Sequence, residues 1–155
     1  MDIALSRRHE PNEITAVLSS TMPKLTVRVE ALEDVSKHEQ QSDIHLVVVE
    51  GVGAYPAGID VFAFPGSPDE RIYAALARLL ATALNCDALS DGTPYVLPGM
   101  LRHPYWSLLW RNGEAWLADD AHSDAYDSTG GPVRLMARLE HPLPAIMPDG
   151  SIQDH

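Results

Sequence analysis

The chain has a single cysteine, half as many basic as acidic residues, and no apolar run long enough to span a bilayer. Each shortage closes a class. With Cys86 alone there is no intramolecular disulfide, which suits a reducing compartment. The deficit of bases, 11 Lys plus Arg against 22 Asp plus Glu for a formal net charge of -11, gives the surface the wrong sign for nucleic-acid phosphates. No stretch approaches the roughly 18 apolar residues of a membrane helix. The opening MDIALSRRHE places Arg7 and Arg8 after a short apolar run rather than before a long one, unlike a signal peptide. The expected location is the cytoplasm.

Catalytic signatures are also missing. No serine sits in a GxSxG elbow, and Gly51-Val52-Gly53 lacks the third glycine and following helix of a dinucleotide loop. There is no P-loop. The seven histidines form neither HExxH nor a Cys/His zinc pattern, so no metal or cofactor is expected. His45, inside an apolar run, reads as a satisfied sheet residue, and Cys86, at the end of an apolar helix, as a small buried hydrophobe.

What is present is an ordinary globular composition, 45% hydrophobic and 21% charged, in 155 residues. That length fits one domain, residues 1–155, with its own core. Ile14, Val17 and Leu18 share a face of a short helix over 11–20. Leu25 to Ala31 alternates like a strand, and the polar stretch 33–43 reads as a loop or exposed turn. Ile44 to Val49 fits a central strand, and Gly51, Gly53 and Pro56 mark a turn before a third strand, Ile59 to Phe64. The spacing of Ile72, Leu76, Leu79, Leu80, Ala83 and Leu84 predicts a long helix over 68–85. Ser67 would be its cap, Pro68 its first residue and Glu70 the partner in a capping box.

Tyr105 to Arg111 and Glu114 to Asp119 flank Asn112-Gly113, the dipeptide suited to a two-residue hairpin turn. Opposite residues should then sum to 225, with Arg111 facing Glu114 and Leu109 facing Trp116. One face collects Trp106, Leu108, Trp110, Ala115 and Leu117 as the core side. The other collects Tyr105, Ser107, Leu109, Arg111, Glu114, Trp116, Ala118 and Asp120 as the wetter side. A last strand over 133–139 precedes an irregular proline-bearing tail, 141–155. The fold class expected is α+β: a largely antiparallel sheet of about five to six strands, covered by the long helix, with a short N-terminal helix.

The charge is uneven. By segment the balance is -2 over 1–40, -3 over 41–78, -5 over 79–133 and -1 over the remainder. The densest stretch, LADDAHSDAYD from Leu117 to Asp127, holds four Asp and one His without Lys or Arg. An aromatic among charges is a typical interface anchor. Glu114, Trp116, Asp119, Asp120, Asp124, Tyr126 and Asp127 therefore form the candidate surface for a basic protein partner.

The stretch AALARLLATALNCDALSDG, a helix running into a short Cys-Asp-Ala-Leu strand, followed by PYWSLLW and an acidic hairpin, resembles small bacterial immunity proteins that neutralise secreted polymorphic toxins. The resemblance covers roughly residues 57–120. It implies a cytosolic protein that binds a cognate toxin domain and blocks its active site or a required movement. The element order is also similar to the small acidic chaperones of type III secretion effectors, although those end in a helix where this chain has prolines. A third possibility is a metal-dependent hydrolase built on the Asp119 to Asp127 cluster, whose oxygens and imidazole are donors for a divalent ion but not in an EF-hand spacing.

Overall fold

A computed structural model describes residues 1–35 and 41–155. Its elements, in order, are β1 (Ile3–Leu5), α1 (Pro11–Thr21), β2 (Val27–Ala31), β3 (Ile44–Val52), β4 (Tyr55–Ala63), α2 (Arg71–Leu84), β5 (Ala88–Asp91), β6 (Trp106–Arg111), β7 (Glu114–Asp119), β8 (Arg134–Leu139), β9 (Pro144–Ile146) and β10 (Ile152–Asp154). Eight strands make one sheet in the order β2-β3-β4-β1-β5-β6-β7-β8, and β9 pairs with β10. Only the β2–β3 pair is parallel. The fold is thus α+β with a mostly antiparallel sheet, but the sheet is larger than the five to six strands expected.

The added strands explain themselves. β1 is three residues, all buried, inserted between β4 and β5 with Ile3 opposite Ile59 and Ala4 opposite Leu89. A strand covered on both faces shows no alternation, so three apolar residues carry no period to detect. β3 and β4 run longer than expected and meet at Gly53-Ala54. Gly51 lies inside β3, where a Cβ would stand 2.0 Å from the Tyr55 carbonyl oxygen. Of the polar stretch 33–43, Leu32–Asp34 forms a 3-10 turn, and residues 36–40 lie outside the described ones.

The β6–β7 hairpin has the expected register throughout, from Trp106 opposite Asp119 to Arg111 opposite Glu114. Asn112 and Gly113 both take positive φ, 52° and 77°, as a two-residue turn requires. His45 sits as expected, its Nε2 2.8 Å from Glu30 Oε2 across the parallel pair.

One long helix does not cover the sheet alone. α1, of 11 residues, and α2, of 14, share one core with the sheet: Ile14 and Leu18 from the first, Ile72, Leu76 and Leu80 from the second, against Leu46, Ile59, Leu108 and Trp110. α2 also starts later than 68. Glu70, rather than Ser67, stands at the N-cap without a side-chain cap bond, and Asp69 Oδ1 accepts the Arg71 N–H at 3.0 Å, so the helix winds from Arg71 and no Ser67 box forms. The helix ends at Asn85, in the left-handed region at φ 50°, and Ala83 is exposed rather than part of the apolar stripe. Beyond it Cys86 is 9% exposed, and burial pushes its thiol up to about 11.

The tail is not irregular. β9 and β10 form a hairpin that packs on α2. The turn is Pro148-Asp149-Gly150-Ser151: the Met147 N–H donates to the Ser151 carbonyl at 2.8 Å, Asp149 Oδ1 accepts from Ser151, and Gly150 takes φ 83°. A Pro-Asp-Gly triplet between two short apolar runs is a turn signal in the sequence itself. Arg78 of α2 holds the hairpin down. Its Nη1 donates to the carbonyls of Leu143 and His155, both at 3.0 Å, while its guanidinium lies 5.2 Å from the Trp110 ring centre.

Two outcomes check this packing. Replacing Arg78 with Met keeps an apolar stem but removes the charge-assisted bonds that tie those carbonyls to the helix, so the urea midpoint should fall by the equivalent of about 2 kcal/mol and proteolysis should start within 143–155. An unchanged midpoint would remove Arg78 as the anchor. Cys86 in the native protein should react with Ellman's reagent far more slowly at pH 8 than in denaturant, because little thiolate forms and little of it is exposed.

Candidate functional site

The strand register brings two serines and a carboxyl to one end of the sheet. β5 and β6 pair Asp91 with Ser107 and Ser90 with Leu108, so Ser107 and Ser90 point to opposite faces. After β7 the chain continues the ladder by one rung, the Asp120 N–H donating to the Tyr105 carbonyl at 2.9 Å. Asp120 therefore lies on the Ser107 face. The expected alternation is correct, and the expected wetness is not.

That face is covered. Residues 120–131 fold back over it: the Asp124 N–H donates to the Gly131 carbonyl at 2.7 Å, and the Asp124 carbonyl accepts from Ala54 at 3.2 Å. Gly130 fits because a Cβ there would lie 2.4 Å from Ser123 backbone carbon. Beneath this cover Ala125 and Leu109 are fully buried with Ala4, Tyr55, Leu89 and Ala118, forming a second small core. Trp116 packs half-buried against it and is not a free aromatic anchor.

The seven candidate contact residues separate accordingly. Glu114, at the hairpin turn, pairs with Arg138 at 3.1 Å, about 17 Å along the strand from Asp119 at the usual rise. Asp119 is 7% exposed; burial pushes its carboxyl up, but the Ala121 N–H and Arg134, at 2.5 Å, hold it below its usual range. Asp120 is 3% exposed. Asp124 is half-buried, Asp127 is exposed with its Oδ1 accepting from Thr129, and Tyr126 is exposed. The sequence therefore overstates the acidic patch at Asp119 and Asp120, because Arg134 and the Ala121 N–H engage Asp119 on one face while the loop buries Asp120 on the other.

Asp120 and Tyr126 meet at a pocket of about 420 Å³. Its walls come from α2 (Tyr73, Ala74), the loop after β5 (Tyr95) and the start of β6 (Trp106), with Ser90 and Ser107 also bordering it. Trp106 is fixed from outside: its Nε1 donates to the Leu101 carbonyl at 2.9 Å, and His103 stacks on it at 4.5 Å. Within the pocket Ser107 Oγ donates to Asp120 Oδ2. Among the described residues the other oxygen, Asp120 Oδ1, has no hydrogen-bond partner, and neither has Ser90 Oγ. Burial pushes the Asp120 carboxyl up, and burial together with Asp120 raises the Tyr126 phenol beside it.

A buried, unpaired oxygen costs about 1–3 kcal/mol. That cost is removed only by a donor reaching Asp120 Oδ1 in the pocket it borders. The chemistry available is hydrogen-bond acceptance with negative charge. Ser107 faces a carboxyl and no imidazole, so the pair lacks the base of a nucleophilic serine. Among the described residues no three His, Cys, Asp or Glu side chains are placed to hold a metal, since Asp119, Asp120 and Asp127 each turn to a different partner. Sequence reasoning named Asp120 and Tyr126 but missed Ser90 and Ser107; their positions at the junction of β5 and β6 follow only from pairing across 15 intervening residues.

No protein family, curated protein or solved structure matches the chain. No helix among the described residues is long and apolar enough to cross a membrane.

Asp120 supplies a stability test with a definite sign. Its carboxyl titrates above the unfolded-chain value near 3.9, so the folded state keeps a proton that the unfolded chain releases. Stability from this group is therefore lost as pH rises from about 4 through the folded value. Asp120→Asn removes that loss. The variant's urea midpoint should exceed the wild-type midpoint at pH 7, with a smaller difference at pH 4; a lower midpoint at pH 7 contradicts the assignment.

Proposed function

We propose that this chain is an immunity-type inhibitor that binds a basic toxin domain in the bacterial cytoplasm. The observation that carries this reading is an apolar rim on an acidic face. Leu97, Leu101, Tyr105 and Tyr126 are 42%, 79%, 51% and 59% exposed; Tyr126 lines the Asp120 pocket, and the other three stand in the β5–β6 loop that supplies its lining residues Pro94, Tyr95 and Pro104. Large apolar side chains left in water beside a concave polar site are the composition of a recognition surface. The net charge of -11 adds attraction to a cationic partner over the whole approach.

The contact set moves with this reading. Tyr126 and Asp127 stay, Leu101 and Tyr105 join them, and Asp120 acts from inside the pocket. Glu114 and Trp116 lie toward the other end of the hairpin, where Trp116 has a packing role. The chaperone reading gains nothing from the tail, which is a β-hairpin. The hydrolase reading finds no converging metal ligands among the described residues.

The product of a toxin gene adjacent to this one should bind the purified chain, and coexpression should rescue growth. Its association rate should fall as salt rises. Combining Leu101→Asp with Tyr126→Ala should weaken binding by at least ~2 kcal/mol, the scale of a hot spot, without shifting the urea midpoint. If no neighbouring product binds, the inhibitor reading fails; if one binds and the double variant binds equally well, the face is wrong.

A further inference from the structure

The pocket beneath the rim has a chemistry more specific than an acidic surface. Four carboxylate residues border it, Asp2, Glu70, Asp91 and Asp120, and among the described residues no Lys or Arg side chain does. The Met1 ammonium, also at its border, is paired with Asp60 at 3.1 Å. Asp120 Oδ1 is an acceptor without a donor, and the Ser90 hydroxyl is without any partner among the described residues, on residues 97% and 95% buried. The unmet need is for N–H donors carrying positive charge.

An anion is excluded by the sign of the site, and a divalent ion by the absence of three converging ligands among the described residues. Between the two organic cations of proteins, the walls decide. Trp106, stacked on its other side by His103, and Tyr95 are aromatic members of the lining, beside the small Ala74. A guanidinium is planar, stacks on aromatic faces and directs five N–H groups in a fork, enough to reach Asp120 Oδ1. An ammonium offers a point charge that the flat walls do not match. A volume of about 420 Å³ accommodates the head and its apolar stem.

We propose that this pocket binds a guanidinium group, supplied by an arginine side chain of the protein partner. The guanidinium site stands on the pocket alone, whereas its source rests on the inhibitor reading. Asp120 provides the opposing charge, held in place by Ser107, while Ser90, on the other face of the sheet, only borders the pocket. The Tyr126 phenol, partly buried against the same carboxyl, is the group the arriving cation displaces or joins.

Titrating the full chain with N-acetyl-arginine amide, followed by backbone amide NMR, tests the site. Saturable shifts should centre on Ser90, Ser107 and Tyr126, and the isosteric but neutral N-acetyl-citrulline amide should bind at least tenfold more weakly. Asp120→Asn should reduce arginine-amide affinity at least tenfold while the spectrum stays that of a folded protein. Equal binding of the two amides, or no saturable shift up to about 50 mM, where fragment-scale affinities register, overturns the site. A second arm uses the neighbouring gene's product. If it binds wild type and Asp120→Asn equally, the arginine proposal falls while the inhibitor reading stands. If the amide binds as expected and no neighbouring product does, the guanidinium site stands and its protein source is overturned.

Discussion

The contact on which the other parts depend is the stack of Arg78 on Trp110. Trp110 Nε1 donates to the Ala74 carbonyl at 3.1 Å, and Arg78, one turn further along α2, returns over the same ring. Helix and sheet are thereby tied at two points on one indole, which sets the rotation of α2 about its axis. The same guanidinium then bonds the carbonyls of Leu143 and His155, so the tail hairpin closes the third side. Desolvation pushes the Arg78 side chain down from its usual range, and carbonyl oxygens are its compensation. The consequence reaches the pocket, because Ala74 both accepts the Trp110 bond and lines the cavity. A rotated α2 would put a larger side chain there.

Local signals in this chain were legible where one residue type settles one backbone problem. Asn112-Gly113 determined a turn, and with it every pairing of the hairpin. The apolar spacing from Ile72 to Leu84 located α2 to within a few residues, but not its start, because Ser67 and Asp69 both offer a capping oxygen and only the fold selects between them. β1 stayed hidden for a different reason. Its place between β4 and β5 is set by pairings across more than fifty residues, and no local pattern encodes those.

The candidate site was half legible on the same terms. Alternation put Asp120 and Ser107 on one face, which the register bears out. Exposure was misjudged because alternation identifies two faces without saying what lies on each. Here both faces of the β6–β7 hairpin are covered, one by α2 and the other by residues 120–131. The apolar members of the supposedly wet face, Leu109 and Ala118, were the clue. They needed a cover, and the following loop supplied Ala125 and Ser123 to make it.

Two adjacent carboxylates show how far that cover changes the meaning of charge. Asp119 meets a guanidinium and a backbone N–H, and its affinity for a proton falls. Asp120, one residue on and facing the other way, meets burial and a hydroxyl, and its affinity rises. Environments that push neighbouring acids apart are a mark of functional sites, although structural pairs produce such shifts as well. Geometry separates the two cases here. The paired oxygens of Asp119 account for its burial, whereas Asp120 retains one oxygen with no partner among the described residues. A carboxyl serving structure alone would be more stable as an amide or an apolar residue of the same size. Its retention in a lined cavity, beneath an exposed apolar rim, is accounted for by a ligand that brings both the donor and the charge.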